Sequence, residues 1–294
     1  MQIFVTGATG FVGSAVVEEL VGAGHGVTGL ARSDASAQAL AAMGAAVRRG
    51  TLDDLDALRD GAAAADAVIH LAFNHDFSRF ADNVAQDRRA IEVLGSALQG
   101  SARPLLATSG LALARQGDVA TEADRTSPDF PRQSETAAFD LAARGVRASV
   151  VRLAPSTHGK GDHGFVPHLI GLAREKGIAA HVGDGFNRWP GVHRRDAARL
   201  FRLAIERGAQ GEAWHAVDDE GVPFKAIAEI IGRRLGVPTV SLAPEEAEAH
   251  FGWFTFFAGM DIPASSAQTR AVLGWTPEHP GLLEDLDQDH YFAG

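Results

Sequence analysis

Residues 6–13 read TGATGFVG and stand between two segments of different period. Before them, QIFVTG (2–7) is a short apolar run, the mark of a buried strand. After them, FVGSAVVEELVGAG (11–24) carries apolar residues at helical spacing and ends on glycines, as helices do. Strand, glycine turn and helix in that order leave little choice of local fold. Gly7 allows the tight turn, Gly10 lets the backbone approach a pyrophosphate, and Gly13 lets the helix pack close to the strand. The helix N-terminus then presents free N–H groups and a partial positive charge to an anion. The expectation is a dinucleotide site on Gly7, Thr9, Gly10, Phe11, Val12 and Gly13.

The same alternation continues. GVTGLAR (26–32), AAVRRG (45–50), DAVIHLAF (66–73), RPLLATSG (103–110) and VRASVVRLA (146–154) read as strands. SAQALAAMG (36–44), LDDLDALRDGAAAA (52–65) and the segment 79–99 read as helices between them. Strands alternating with helices imply a parallel sheet with right-handed crossovers, and apolar runs without alternation imply that both faces are covered. The fold class is therefore α/β, a Rossmann-type doubly wound sheet. After Pro155 the rhythm changes. STHGKGDHGFVPHL (156–169) reads as a loop entering a helix, VHRRDAARLFRLAIERG (192–208) as a helix, AWHAVD (213–218) as a strand and FKAIAEIIGRRLG (224–236) as a helix. Residues 1–155 are expected to form the dinucleotide-binding domain, with 190–218 returning to it, and 156–189 plus 219–294 a smaller substrate lobe.

Composition limits the partners. The 294 residues carry a net charge of −10 and no Lys/Arg run, which argues against nucleic acid or an anionic membrane. With no cysteine, disulfides and thiolate catalysis are excluded, consistent with a reducing compartment. No basic leader or long apolar span is visible, so a cytoplasmic location is expected. The second strand ends in Arg32 and Ser33, where an NAD site would place a carboxylate for the ribose. A guanidinium with a hydroxyl beside it suits a 2′-phosphate, which favours NADP, and Asp34 keeps NAD open.

With TGATGFVG, DAVIHLAF, LLATSG (105–110), VVRLAPSTHG (150–159) and RWPGVHRRDAARL (188–200) in this order, the chain resembles the short-chain dehydrogenase/reductase superfamily. It looks most like the extended and atypical members of the NAD-dependent epimerase/dehydratase type. That resemblance implies Leu52 and Asp53 near the adenine, and Leu71, Ala72 and Phe73 along the ribose and phosphates. It further implies Thr108 and Ser109 beside the nicotinamide, and Leu153, Ala154 and Pro155 packed along it. The family's catalytic pattern is Ser/Thr followed by Tyr-x-x-x-Lys; its hydroxyl position aligns with Ser109 or falls on Gly110, and at the Tyr-x-x-x-Lys pair the chain departs. The tyrosine position falls on Pro131 and the lysine position on Glu135, and the chain holds one tyrosine, Tyr291, and three lysines, Lys160, Lys176 and Lys225. Relatives often pair through two helices, so a homodimer is an open expectation.

Other groups must move the proton if redox chemistry persists. Ser109 and His158 are expected to flank the reacting carbonyl of a small-molecule substrate, with His193 or Arg132 orienting it. The alternatives are a nucleotide-sugar epimerase or dehydratase, which would lean on the missing pair, and a dinucleotide sensor without turnover. The patch His158, Asp162, His163, His168 invites a metal reading, but its spacing does not impose convergence and no metal is expected. Asn187-Arg188-Trp189 either closes over the ligand or packs the lobe, and HFGWFTFF (250–257) reads first as lobe packing. Glu135 reads equally as a general base or a carboxylate at a helix start.

Overall fold

Seven parallel strands form the central sheet of the computed structural model, which describes residues 1–111, 118–127 and 130–293. In chain order they are β1 (Gln2–Thr6), β2 (Gly26–Ala31), β3 (Ala46–Arg49), β4 (Ala67–His70), β5 (Leu105–Gly110), β6 (Ala148–Leu153) and, after the insertion described below, β10 (Ala213–Ala216). Their spatial order is β10-β6-β5-β4-β1-β2-β3. The chain therefore runs outward from β1 to β3 and then restarts on the other side of β1 at β4. This reversal opens a crevice at the carboxyl ends of β1 and β4, the place where open α/β sheets bind ligands.

Both sheet faces are covered, as the apolar strands require. On one face α1 (Phe11–Gly22) and α7 (Arg194–Arg207) bury Val16, Leu20, Leu200 and Phe201 against Ile3, Val5 and Ile69. On the other, α3 (Leu55–Ala63), α4 (Phe80–Ser96) and α5 (Ser134–Ala143) bury Leu58, Ile91, Leu94 and Leu141 against Phe4, Val68 and Leu105. Gly61 and Gly95 make these contacts close, since a Cβ there would lie 2.5 Å from the Phe4 ring and 2.3 Å from Leu141. The helix α2 (Asp34–Ala42) joins β2 to β3.

A third core lies beyond the sheet. It is built by α6 (Phe165–Lys176), α8 (Phe224–Leu235) and the aromatic segment near 250, around Trp189, Phe224 and Phe254. Two small sheets brace it. One orders β11 (Asp219–Pro223), β9 (Arg188–His193) and β7 (Ser156–His158); the other pairs β12 (Thr239–Leu242) with β8 (Ala179–Val182). Here the chain departs from the expected elements. Residues 156–158 are a strand rather than the start of a loop, and Val192 and His193 end a strand rather than begin a helix. The helix starts at Arg194 because His193 caps it, accepting from the Arg195 amide at 3.2 Å. Likewise α3 starts at Leu55 rather than 52, because the Asp54 carboxylate accepts from the Ala57 amide. In HFGWFTFF, Phe251 and Phe254 are buried, whereas Trp253 and Phe256 are exposed. Among the described residues, no helix is long and apolar enough to cross a membrane.

Candidate active site

The glycine turn fits a dinucleotide. Gly7 has φ +68°, and a Cβ there would stand 2.6 Å from the Ala72 amide nitrogen. A Cβ on Gly13 would stand 2.0 Å from the Gly7 carbonyl, so helix and turn meet only through glycine. Gly10 caps α1 without any side-chain hydrogen bond, which leaves the first-turn amides for an anion. Thr9 and Gly10 are exposed at the turn, and Phe11 and Val12 are half-buried behind it. Arg194 was not anticipated. Its guanidinium lies 4.9 Å over the Phe11 ring and donates to the Ser14 hydroxyl at 3.2 Å, bringing a cation to the start of α1.

At the end of β2, Ser33 caps α2 by accepting from the Ser36 amide at 3.1 Å. Arg32 is exposed and makes no hydrogen bond or ion pair among the described residues. Asp34 pairs with Arg49 and is thereby drawn into a contact of its own. Asp53 is exposed and accepts from Gln86 at 2.7 Å, while Leu52 packs against the second core. Leu71, Ala72 and Phe73 leave β4 half-buried beside the crevice, and Leu153 and Pro155 are half-buried at the end of β6.

Two arginines meet the first turn of α5. Arg152, from β6, donates to both oxygens of Glu135 at 2.8 and 2.6 Å, and also to the Asp124 carbonyl at 2.7 Å. Its remaining nitrogen meets His215 at 3.0 Å, and all three side chains are buried. Glu135 is thus committed to a structural ion pair. Burial, then the Arg152 charge, holds the His215 pKa down at about 3.

Arg132 is arranged otherwise. It is half-buried, 4.1 Å over the Phe73 ring, with Nη2 donating to the Thr108 carbonyl at 3.3 Å and Nε to the Ser134 hydroxyl at 2.9 Å. Ser134 donates to Asp87, which accepts from His70 Nε2 at 3.0 Å, and His70 Nδ1 meets Thr6 Oγ1 at 2.7 Å. A polar chain therefore runs through the core from the end of β1 to Arg132. Nη1 makes no hydrogen bond among the described residues. Ser109, which follows Thr108 in β5, has a hydroxyl that likewise has no partner among them, and the Thr108 hydroxyl is buried without a partner among the described residues. Burial, opposed by the Asp87 charge, lowers the Arg132 pKa from its ordinary value. Burial, then Arg132, then His163, lowers that of His75, which sits 5.3 Å from the Phe73 ring.

His158 and His193 stand on the small sheet of β7, β9 and β11, not on the main sheet that carries Ser109. His158 is 0% exposed, with Nδ1 2.9 Å from Asp285 and Nε2 buried without a partner among the described residues. His193 lies beside it in register on β9, and burial, then His158 and His279, pulls its pKa to about 4. His163 is exposed against the edge of Phe11, and His168 packs on Trp253 and Phe254. His193, Asp196 and His279 do bring donor atoms within 4.8 Å of one another, a grouping hidden in the sequence by distance. Those atoms already hold the start of α7. Asp196 accepts from the Glu278 and His279 amides and meets the His279 ring, and the His193 and His279 rings stack in parallel at 4.6 Å. Parallel rings do not aim their in-plane lone pairs at one point, so the cluster fits a structural role better than a metal.

The buried networks had a visible sign that the sequence reading passed over. A histidine in DAVIHLAF and an arginine in VVRLA interrupt strands that are otherwise apolar, and a buried polar group needs a partner.

Comparison with known proteins agrees with the fold. Residues 3–129 match the model of the NAD dependent epimerase/dehydratase family. An uncharacterized protein of Schizosaccharomyces pombe is 49% identical over 99% of this chain and 100% of its own. A sterol-4-alpha-carboxylate 3-dehydrogenase (decarboxylating) of Dictyostelium discoideum is 26% identical over 82% of this chain and 78% of its own. Among solved structures, a dTDP-glucose 4,6-dehydratase of Streptomyces venezuelae, with NAD bound, superposes with a TM-score of 0.78 at 18% identity, covering 100% of this chain and 97% of that one. In sequence, glycine cradle and sheet order alike, the chain belongs to the NAD dependent epimerase/dehydratase family.

Proposed function

We propose that this protein is an NADP-dependent oxidoreductase that reduces a carbonyl compound to an alcohol, with Ser109 and Arg132 serving where its family uses tyrosine and lysine. The observation that carries the reading is the Arg132 guanidinium, held by Ser134 and by the carbonyl of Thr108, the residue before Ser109, with Nη1 making no hydrogen bond among the described residues. When bound, the nicotinamide supplies hydride. The Ser109 hydroxyl donates a hydrogen bond to the carbonyl oxygen, and Arg132 provides positive potential where negative charge develops on that oxygen. Arg132 keeps its proton, so the proton that completes the alcohol comes from water through Ser109. His158, fully buried and bound to Asp285, is better suited to holding the segment after β7, with His193 beside it.

Support for NADP comes from Arg32, exposed and unpaired among the described residues where a 2′-phosphate would lie, with Asp34 occupied by Arg49. Support for redox chemistry comes from the Dictyostelium relative, named a dehydrogenase. The test is NADPH consumption against a panel of ketones, aldehydes and imines. Oxidation that prefers NADPH to NADH is expected. Tight NADPH binding without turnover on any member would replace the enzyme with a dinucleotide sensor.

A further inference from the structure

Resting on that reading, we propose that the carbonyl compounds taken by this site carry a carboxylate, that Arg132 holds it, and that Asp87 is the residue that positions Arg132. The first argument is charge. The buried Arg152 and the half-buried Arg188 each hold a carboxylate in direct contact, Glu135 and Asp261. Arg132 makes no direct contact with an acid among the described residues; its compensation is Asp87, one serine away. Part of that carboxylate is already engaged by His70. Among the described residues, the charges that act on neighbouring His75 are those of Arg132 and His163, both positive. A planar anion on the free edge would complete the set, and a carboxylate matches the fork of a guanidinium.

The second argument is place. Phe73 packs under the guanidinium, and the Thr108 carbonyl fixes one nitrogen next to Ser109. Arg132 thus stands at the carboxyl edge of β4 and β5, whereas the start of α1 has its own cation in Arg194. In a 2-oxo or 3-oxo acid the carbonyl and carboxylate oxygens are close neighbours, so one guanidinium faces both. The third argument is rigidity. Every member of the chain Thr6–His70–Asp87–Ser134 has a partner on both sides, and its last link, Arg132, has one edge without a partner among the described residues. A network satisfied at one end and open at the other orients a ligand group.

The experiment uses the full chain with NADPH and matched pairs of 2-oxo and 3-oxo acids and their methyl esters. The wild type is expected to favour acids over esters in kcat/KM. Arg132→Gln is expected to lower acid turnover by roughly 10- to 100-fold more than ester turnover, the scale of one lost charge-assisted hydrogen bond. Arg132→Lys restores part of the preference, because charge remains and the fork does not. Asp87→Asn raises KM for acids more than it lowers kcat, a split that mere loss of folded protein would not give. Esters used as well as acids by the wild type overturn the proposal. So does an Arg132→Gln protein with an unchanged acid-to-ester ratio and weakened NADPH binding, which would give the guanidinium to the cofactor's phosphates. If NADPH binds and nothing oxidises it, the reductase reading fails by itself. Calorimetry with malonate on the NADP-loaded protein then decides this proposal: binding lost in Arg132→Gln upholds it, and no binding in the wild type ends it.

Discussion

Arg152 and Arg132 both meet the first turn of α5, one through Glu135 and the other through Ser134. Arg152 is 0% exposed and its donors end on a carboxylate, backbone carbonyls and a histidine. Arg132 is half-buried, is anchored at Nε and Nη2, and leaves Nη1 without a partner among the described residues. The same side chain thus serves as framework in one place and as an open binding edge in the other. What separates them is how completely the donors are met.

The comparison breaks most directly at Glu135. Glu135→Gln leaves a fully buried guanidinium without its counter-charge, and loss of one partner of such a pair costs about 3–5 kcal/mol. Urea unfolding at neutral pH should show this, and the double variant Glu135→Gln/Arg152→Met should recover much of it. If the single variant unfolds like the wild type, the pair is not the framework described here.

Next comes the histidine that shares this framework. With a folded pKa of about 3 against an ordinary value near 6.5, His215 takes up a proton in the unfolded chain first as pH falls. Its contribution is therefore complete above about pH 6.5 and is lost progressively as pH falls toward 3. Urea midpoints across that range should decline in the wild type, and His215→Gln should flatten the decline. His193, at about 4, gives the same sign over a narrower window and sets the background slope.

These two systems also mark what the sequence carried. The inner strands of the main sheet were legible because they are apolar runs bounded by turn residues, the edge strand β3 (AVRR) because the alternation with helices calls for one there, and Gly7 and Gly13 because glycine is what their close contacts require. The small sheets were not. The strand β9, RWPGVH, contains proline and glycine and pairs with a three-residue strand whose own sequence, STH, looks like loop. The site was half legible. Arg132 and Ser109 could be nominated from their positions, but Arg132's links to Ser134 and Asp87 join segments 47 residues apart. The depth of His158 depends on Asp285, 127 residues away, and no periodicity announces that contact.

Arg132 itself sharpens the comparison from the other side. Arg132→Met removes a cation that lacks a direct carboxylate, and Ser134 still donates to Asp87, so stability should stay within about 1 kcal/mol of the wild type. Activity should fall far more than stability. An arginine whose loss damages folding as much as that of Glu135 would be framework after all, and the open edge would need another explanation.

A third arginine gives the smallest effect on the fold. Arg32 is exposed at the end of β2 and has no partner among the described residues, so none of those residues relies on it. Arg32→Ala should leave the urea midpoint where it was. If the guanidinium meets a 2′-phosphate, the variant should bind NADPH roughly 10- to 100-fold less tightly, the worth of one charged hydrogen bond, and NADH as before. Equal loss for both dinucleotides would place Arg32 on the adenine rather than on a phosphate, and no loss would return the ribose to Asp34. Either result would still leave the ordering intact: commitment of the donors falls from Arg152 to Arg132 to Arg32, and the cost of removal to the fold should fall with it.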